Sequence, residues 1–296
     1  MERKYDKIAV LKGGPSSERD VSLRSGAAVA AGLRVAGYDV QEIDVTGHDI
    51  DIPEGIDAVF IALHGEFGED GQVQQLLEGK GIPFTGSSSV SSRNSFDKAV
   101  SKKIFDDNGI CTPQYVVMTS EEAVTLEFPV VVKPARQGSS IGIHKVTSKD
   151  DFLPALADAL SFGGEVVVER FIEGRELTVG VLNGVALPVV EIVAPESWYD
   201  YSAKYTKGAC SYLVPAPIDE ELTAKCKELG RASFEKLGCS GFARVDILAT
   251  SDGQAYVLEL NNIPGFTETS LLPMAAGEYG LSFAELCSQI VECIES

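Results

Sequence analysis

Short apolar runs separated by polar, glycine-punctuated segments organise the first third of the chain. Residues 7–11 (KIAVL) read as an apolar strand entering KGGPSSERD. The alanine-rich VSLRSGAAVAAGLRVAG then reads as a helix closed by Gly37. Strands follow at 39–44 and 57–63, GQVQQLLEGKG as a helix and IPFTG as a strand. This β-α-β-β-α-β rhythm over about 90 residues predicts a three-layer α/β domain with a mainly parallel sheet.

The pattern changes at the serine-rich SSSVSSRNS, residues 87–95, which reads as a boundary or as a short helix. From Phe96, FDKAVSKKIFDDNG predicts an amphipathic helix ending at Gly109. YVVM, FPVVVKP, a Gly-Ser loop, GIHKV, a helix around 150–160 and EVVVERFI then form an α+β unit. RELTVGVLNGVALPVVEIV is a hairpin turned at Asn183-Gly184. Helices are expected at 219–237 and 282–294, with a second hairpin between them. The fold class is thus α/β and α+β, divided at 1–94, 95–173 and 174–296, and no internal repeat is present.

The second hairpin departs from the apolar rule. In YVLELNNIPGF, Glu259 and Asn261 share one strand face and Leu258 and Leu260 the other. In GFARVDILAT, Arg244 and Asp246 likewise share a face, and SDGQ between the strands supplies a turn in which Gly253 can take positive φ. If the polar faces coincide, these four side chains converge, and such oxygen ligands suit a hard cation such as Mg²⁺. The other reading is a solvated outer face, salt-bridged through Arg244.

Composition narrows the function. Of 296 residues, 44% are hydrophobic and 23% charged, ordinary for a globular protein. The net charge of −19 argues against nonspecific nucleic-acid binding. An anionic ligand would need a locally basic site, which gives weight to lysines beside glycine-rich segments. No apolar window is long enough to span a membrane, and MERKYDKIAVLKGG lacks the features of a secretory signal. The six cysteines have no C-x-x-C or zinc spacing, so reduced thiols and a cytoplasmic location are expected.

Six further segments carry candidate chemistry. VVVKPARQGSSIG sets Lys133 at a strand end before Gly138, Ser139, Ser140 and Gly142. Small residues let backbone N–H groups approach phosphate, though the order of lysine and glycines is not that of a Walker loop, and an ordinary mobile turn has the same composition. Lys98 lies on the preceding helix, where a lysine is usually solvated. EVVVERFIEGRE places Glu169 at a strand end and Glu176 beyond it, as nucleoside ligands or as surface acids. Glu18 sits near a helix N-terminus, where the dipole alone favours an acid. His64 follows a strand in a glycine-rich loop, in a structural or substrate-facing role, and YDYSAKYTKGAC, with Lys204 and Tyr205, reads as a packed loop or a lid.

Taken in order, GGPSSERDVSLRSG, ALHGEFGEDG, DK at 97–98, VVKPARQGSSIG, YDYSAKY, GFARVDI and LELNNIPGFTETSLLP resemble the D-alanine–D-alanine ligases of the ATP-grasp superfamily over essentially the whole chain. The departures are mild: Asp20 stands where the family often has Glu, and NNIPG where NTSPG or NTIPG is common. The resemblance implies an ATP-grasp architecture, with a substrate-side domain before two subdomains that enclose ATP. It implies ligation of two D-alanines through a D-alanyl phosphate for peptidoglycan precursor synthesis. Asp246, Glu259 and Asn261 would hold two Mg²⁺ ions, with Mn²⁺ an alternative, and Glu259 would bridge them. Lys98 and Lys133 would hold phosphates under the Ser139–Ser140 loop. Glu169, the backbone near Ile172, and Glu176 would hold adenine and ribose. Glu18, linked to Ser139 and Tyr205, and His64 would serve the first D-alanine. Lys204, Ser270 and Leu271 would receive the second, with Arg244 and Gly265 stabilising the oxyanion. A homodimer is implied, with no nucleic-acid or membrane partner. Tyr205, where D-lactate-using relatives typically carry Phe, implies D-Ala-D-Ala as product. Other readings are a different ATP-grasp ligase, a D-alanine–D-lactate ligase, a nucleotide-binding sensor, or a glycosidase using Asp246 and Glu259.

Overall fold

A computed structural model describes residues 3–193 and 211–294. Three sheets organise them. The first has strands β1 (Lys7–Gly13), β2 (Asp39–Val45) and β3 (Ala58–Ile61), all parallel in the order β2-β1-β3. Helices α1 (Arg19–Val35) and α2 (Gln72–Lys80) flank it. Ile8 to Leu11 at its centre are fully buried, as expected of a strand covered on both faces. The strand expected at IPFTG is reduced to one bridge, Phe84 to Val59. Pro83 contributes only its carbonyl, to Val59 N–H, because proline has no N–H to extend the ladder.

The serine-rich segment is a helix, α3 (Ser89–Phe96), capped by Ser88, with Ser89, Ser91, Ser92 and Ser95 buried. Its hydroxyls are satisfied locally: Ser89 donates to Glu78 at 2.6 Å and Ser95 to the Ser91 carbonyl at 2.8 Å. Asp97 ends α3 and caps α4 (Lys98–Asp107), accepting from the N–H groups of Ala99 and Val100.

The second sheet is antiparallel. Its strands β4 (Tyr115–Met118), β5 (Val130–Pro134), β6 (His144–Val146) and β7 (Val166–Arg170) run in the order β4-β7-β5-β6. Helix α5 (Lys149–Leu160) covers one face through Phe152, Leu156 and Ala159, packed on Val130, Val132, Val166 and Val168.

The third sheet comprises β8 (Arg175–Leu182), β9 (Val185–Val193), β10 (Ser211–Leu213), β11 (Phe242–Ala249) and β12 (Ala255–Asn261), in the order β10-β9-β8-β11-β12. Asn183 and Gly184 turn the β8–β9 hairpin with φ of 48° and 76°, the left-handed pair that a tight hairpin demands. Helix α6 (Glu220–Lys236) packs Cys226 and Phe234 against Val179, Val245 and Val257. The other face meets α7 (Leu271–Glu278) and α8 (Phe283–Glu292), which share one core with α1. Sequence reading missed α7. Its signal is Ser270 as N-cap before Leu-Leu-Pro, with Pro273 in the first turn, where the missing N–H costs nothing.

Phe60 of β3, Phe242 of β11 and Phe266 form one aromatic cluster, with Phe266 5.7 Å from each of the others. This packing clamps the chain leaving β12 against the carboxyl end of the first sheet. It brings the polar hairpin to the loops that carry Glu18 and His64.

Candidate active site

The three sheets enclose a cavity of about 930 Å³. Every predicted site residue in the described part of the chain lines it, while Lys204 and Tyr205 lie outside the described residues. The polar hairpin forms one wall. In its register Asp246 stands opposite Glu259 and Arg244 opposite Asn261. Its polar face thus turns into the cavity, and the solvated-face reading does not hold. Gly253 makes the turn with φ of 78°.

Asp246 is saturated. Arg244 donates through Nε and Nη2 at 3.0 and 2.9 Å, Thr178 at 2.7 Å and Asn261 Nδ2 at 3.0 Å. Four donors fill the lone-pair sites of a carboxylate. Among the described residues no group of three or more His, Cys, Asp or Glu side chains is placed to hold a metal. The oxygen-only set of two carboxylates and one amide still fits Mg²⁺, which takes one or two protein carboxylates and completes its shell with phosphate and water. Binding there requires a donor on Asp246 to yield and Asn261 to present its oxygen.

Opposite the hairpin lie the cationic groups. Lys98, at the start of α4, donates to the Gln137 carbonyl at 2.6 Å and lies 3.6 Å from Glu259. Lys133, at the end of β5, pairs with Glu169. Burial opposes the Lys133 ammonium, but Glu169, helped by Glu259 and Glu176, outweighs it and raises the pKa above the ordinary lysine value. Burial likewise opposes the Glu169 carboxylate, and Lys102 with Lys133 outweighs it, holding the carboxyl below its usual range. Lys102, missed from sequence, pairs with the second Glu169 oxygen at 2.7 Å. Its signal was its position one turn after Lys98, on the face that α4 buries. The Glu169 carboxylate thus lies between two lysines and lines the cavity beside Ile172 and Glu176.

Ser139 and Ser140 take left-handed φ of 50° and 58°. The Ser139 hydroxyl donates to Glu18, so the Gly-Ser loop is fastened across the cavity and not an open turn. Glu18 occupies the N-cap position of α1 without capping it; its carboxylate faces the loop instead.

His64 is buried, 3% exposed. Ser25 Oγ accepts from the Phe266 N–H at 3.2 Å, which leaves its proton for His64 Nε2 at 2.9 Å, and Nδ1 faces the Ile263 carbonyl at 3.1 Å. Glu69, also missed, lies 3.4 Å from Nδ1. Burial, reinforced by the charge of Glu18, raises its pKa despite His64. Its signal was present in ALHGEFGEDG, where only the histidine drew attention. At the far end, Ser270 Oγ accepts from Thr267 N–H at 3.0 Å beside Gly265 and Leu271.

A family model described as D-ala D-ala ligase C-terminus matches residues 104–292, and one described as D-ala D-ala ligase N-terminus matches 47–87. The D-alanine–D-alanine ligase of Methylacidiphilum infernorum is 48% identical over 285 residues, covering 96% of this chain and 94% of the relative. That of Syntrophotalea carbinolica is 47% identical over 296 residues, covering 98% and 96%. The crystal structure of D-alanine–D-alanine ligase from Bacillus anthracis complexed with ATP superposes with a TM-score of 0.85 at 34% identity, covering 97% of each chain.

Proposed function

The chain belongs to the D-alanine–D-alanine ligase family, and from that premise we propose how its cavity joins two D-alanines at the expense of ATP. The fold is the ATP-grasp arrangement and the activity is D-alanyl-D-alanine formation. The assignment of roles to residues is our reading.

Lys98 and Lys133 hold the phosphates of ATP, and Glu169, the backbone near Ile172 and Glu176 hold its adenine and ribose. Asp246, Glu259 and Asn261 would hold two Mg²⁺ ions, or Mn²⁺ in their place. The metal, when bound, neutralises charge on the β- and γ-phosphates. A carboxylate is a poor acyl donor because its leaving group would be oxide. Transfer of the γ-phosphoryl group to the first D-alanine gives an acyl phosphate, whose leaving group is phosphate. Glu18, steered by Ser139, receives the first ammonium, with His64 beside it. The second D-alanine presents its carboxylate to Lys204, Ser270 and the N–H of Leu271 at the start of α7, where the helix dipole favours an anion. Its amine, once deprotonated, attacks the acyl carbonyl. Arg244 and the Gly265 N–H stabilise the oxyanion that forms.

The observation that carries this reading is the closure of Asp246, Glu259, Lys98, Lys133 and the Glu18–Ser139 bond around one cavity. A glycosidase or a bare nucleotide sensor has no use for that combination. We further propose domain limits at 1–94, 95–173 and 174–296, a homodimer, and a cytoplasmic role in peptidoglycan precursor synthesis. No helix of the described residues is long and apolar enough to cross a membrane. Incubation with ATP, Mg²⁺ and D-alanine should release phosphate and dipeptide in equal amounts. ATP turnover that needs no D-alanine would contradict the reading.

A further inference from the structure

One buried cation is left unused by the ligation scheme. Lys102 is 1% exposed, and burying an ammonium is costly unless every donor is met. Its Nζ lies 2.7 Å from Glu169 Oε2 and donates to Thr112 Oγ1 at 2.7 Å, with the Tyr115 ring 5.3 Å away. Thr112 donates onward to the Val257 carbonyl at 2.7 Å, and Val257 N–H donates back to Cys111 at 2.8 Å. On the other side Glu169 reaches Lys133. The chain of contacts Lys133–Glu169–Lys102–Thr112–Val257 thus runs from β5 in the second sheet to β12 in the third. It ends two residues before Glu259.

We propose that Lys102 is a positioning residue that sets Lys133 relative to the Glu259 strand. The proposal rests on the reading that Lys133 grips phosphate and Glu259 metal. Lys102 has two effects there. It shares the charge of Glu169, so the buried trio keeps a net positive charge facing the phosphates and Lys133 is not neutralised by its partner. It also ties that trio to β12 through a hydroxyl of fixed length, so the phosphate grip and the metal-bearing strand keep one spacing. A leucine could fill the same space but would do neither.

The test is nucleotide binding, measured by calorimetry without added metal, alongside steady-state kinetics. Lys102→Met should weaken metal-free ATP binding roughly tenfold and raise the KM for ATP similarly, with the KM for the first D-alanine within about twofold of the parent. Thr112→Val keeps the trio but cuts the tie to β12. It should leave metal-free ATP binding unchanged and raise the Mg²⁺ concentration needed for half-maximal rate, whereas Thr112→Ser should behave as the parent. A folded Lys102→Met with parental ATP binding overturns the proposal, whatever its melting temperature. If Lys102→Met does not fold, equal Mg²⁺ dependence in Thr112→Val and Thr112→Ser overturns it. Lys133→Ala separates the two levels. If it too binds ATP as the parent does, the phosphate reading has failed; if it loses ATP while Lys102→Met does not, only the positioning role has failed.

Discussion

Asp246 stands opposite Glu259 across the β11–β12 ladder, with Arg244 fastened to Asp246 through two hydrogen bonds from the same strand. One short hairpin therefore presents two carboxylates, an amide and a guanidinium to the cavity. The bulge that follows Asp246 shifts the register immediately beyond the pair, so the polar face ends where the site ends and the apolar core resumes.

Asp246→Asn should retain the fold and lower kcat by about 10²-fold or more, because a neutral amide is a weaker cation ligand. The rate should recover only partly at high Mg²⁺. Circular dichroism checks the fold and a Mg²⁺ titration checks the cause; a parental Mg²⁺ requirement would count against the metal role.

Arg244→Ala should lower dipeptide formation by about 10²–10³-fold, the usual effect of losing one oxyanion donor, while ATP affinity stays within a few-fold. If Arg244 were only a salt-bridge partner of Asp246, the variant would melt earlier but keep its specific activity. Parallel measurement of melting temperature and kcat distinguishes the two.

Glu169 links the site to acid stability. Its carboxyl is held below the usual range, so its ion pairs contribute fully above the unfolded value near 4.5 and are lost as pH falls through the folded value. Glu169→Gln should cost about 3–5 kcal/mol near neutrality, since it leaves two buried ammonium groups without a counter-charge. Its acid limb should be shallower than that of the parent. Melting curves from about pH 7 to about pH 3 test this, and parallel limbs would refute it.

Much of this was legible in the sequence because the governing signals are local. Period-two alternation in GFARVDI and YVLELN sets which side chains share a face, and SDGQ sets the turn, so the polar hairpin is legible in the sequence alone. The serine-rich α3 was ambiguous because its buried face is made of hydroxyls that bond to Glu78, Cys239 and backbone carbonyls, and no hydrophobic stripe marks it. Lys102 and Glu69 were missed for a related reason. A buried charge is identified by its partner: Glu169 reaches Lys102 from β7, and His64 meets Glu69 only once the loop they share has folded. The contact of Glu169 with two lysines likewise follows from the β5–β7 pairing, which no segment encodes alone.

Tyr205, outside the described residues, enters through the family resemblance. Its hydroxyl should extend the Ser139–Glu18 link and favour an amine nucleophile, so Tyr205→Phe should shift product toward D-alanyl-D-lactate in mixtures of D-alanine and D-lactate. An unchanged product ratio across pH would leave it a packing residue.

The central claim is that the first D-alanine is activated as an acyl phosphate in this cavity. D-alanine labelled with ¹⁸O in its carboxylate tests it directly, by mass analysis of the phosphate released during ligation. The account predicts that each phosphate carries one labelled oxygen, because the acyl carbon keeps one carboxylate oxygen and surrenders the other with the phosphoryl group. Unlabelled phosphate accompanying dipeptide would contradict it.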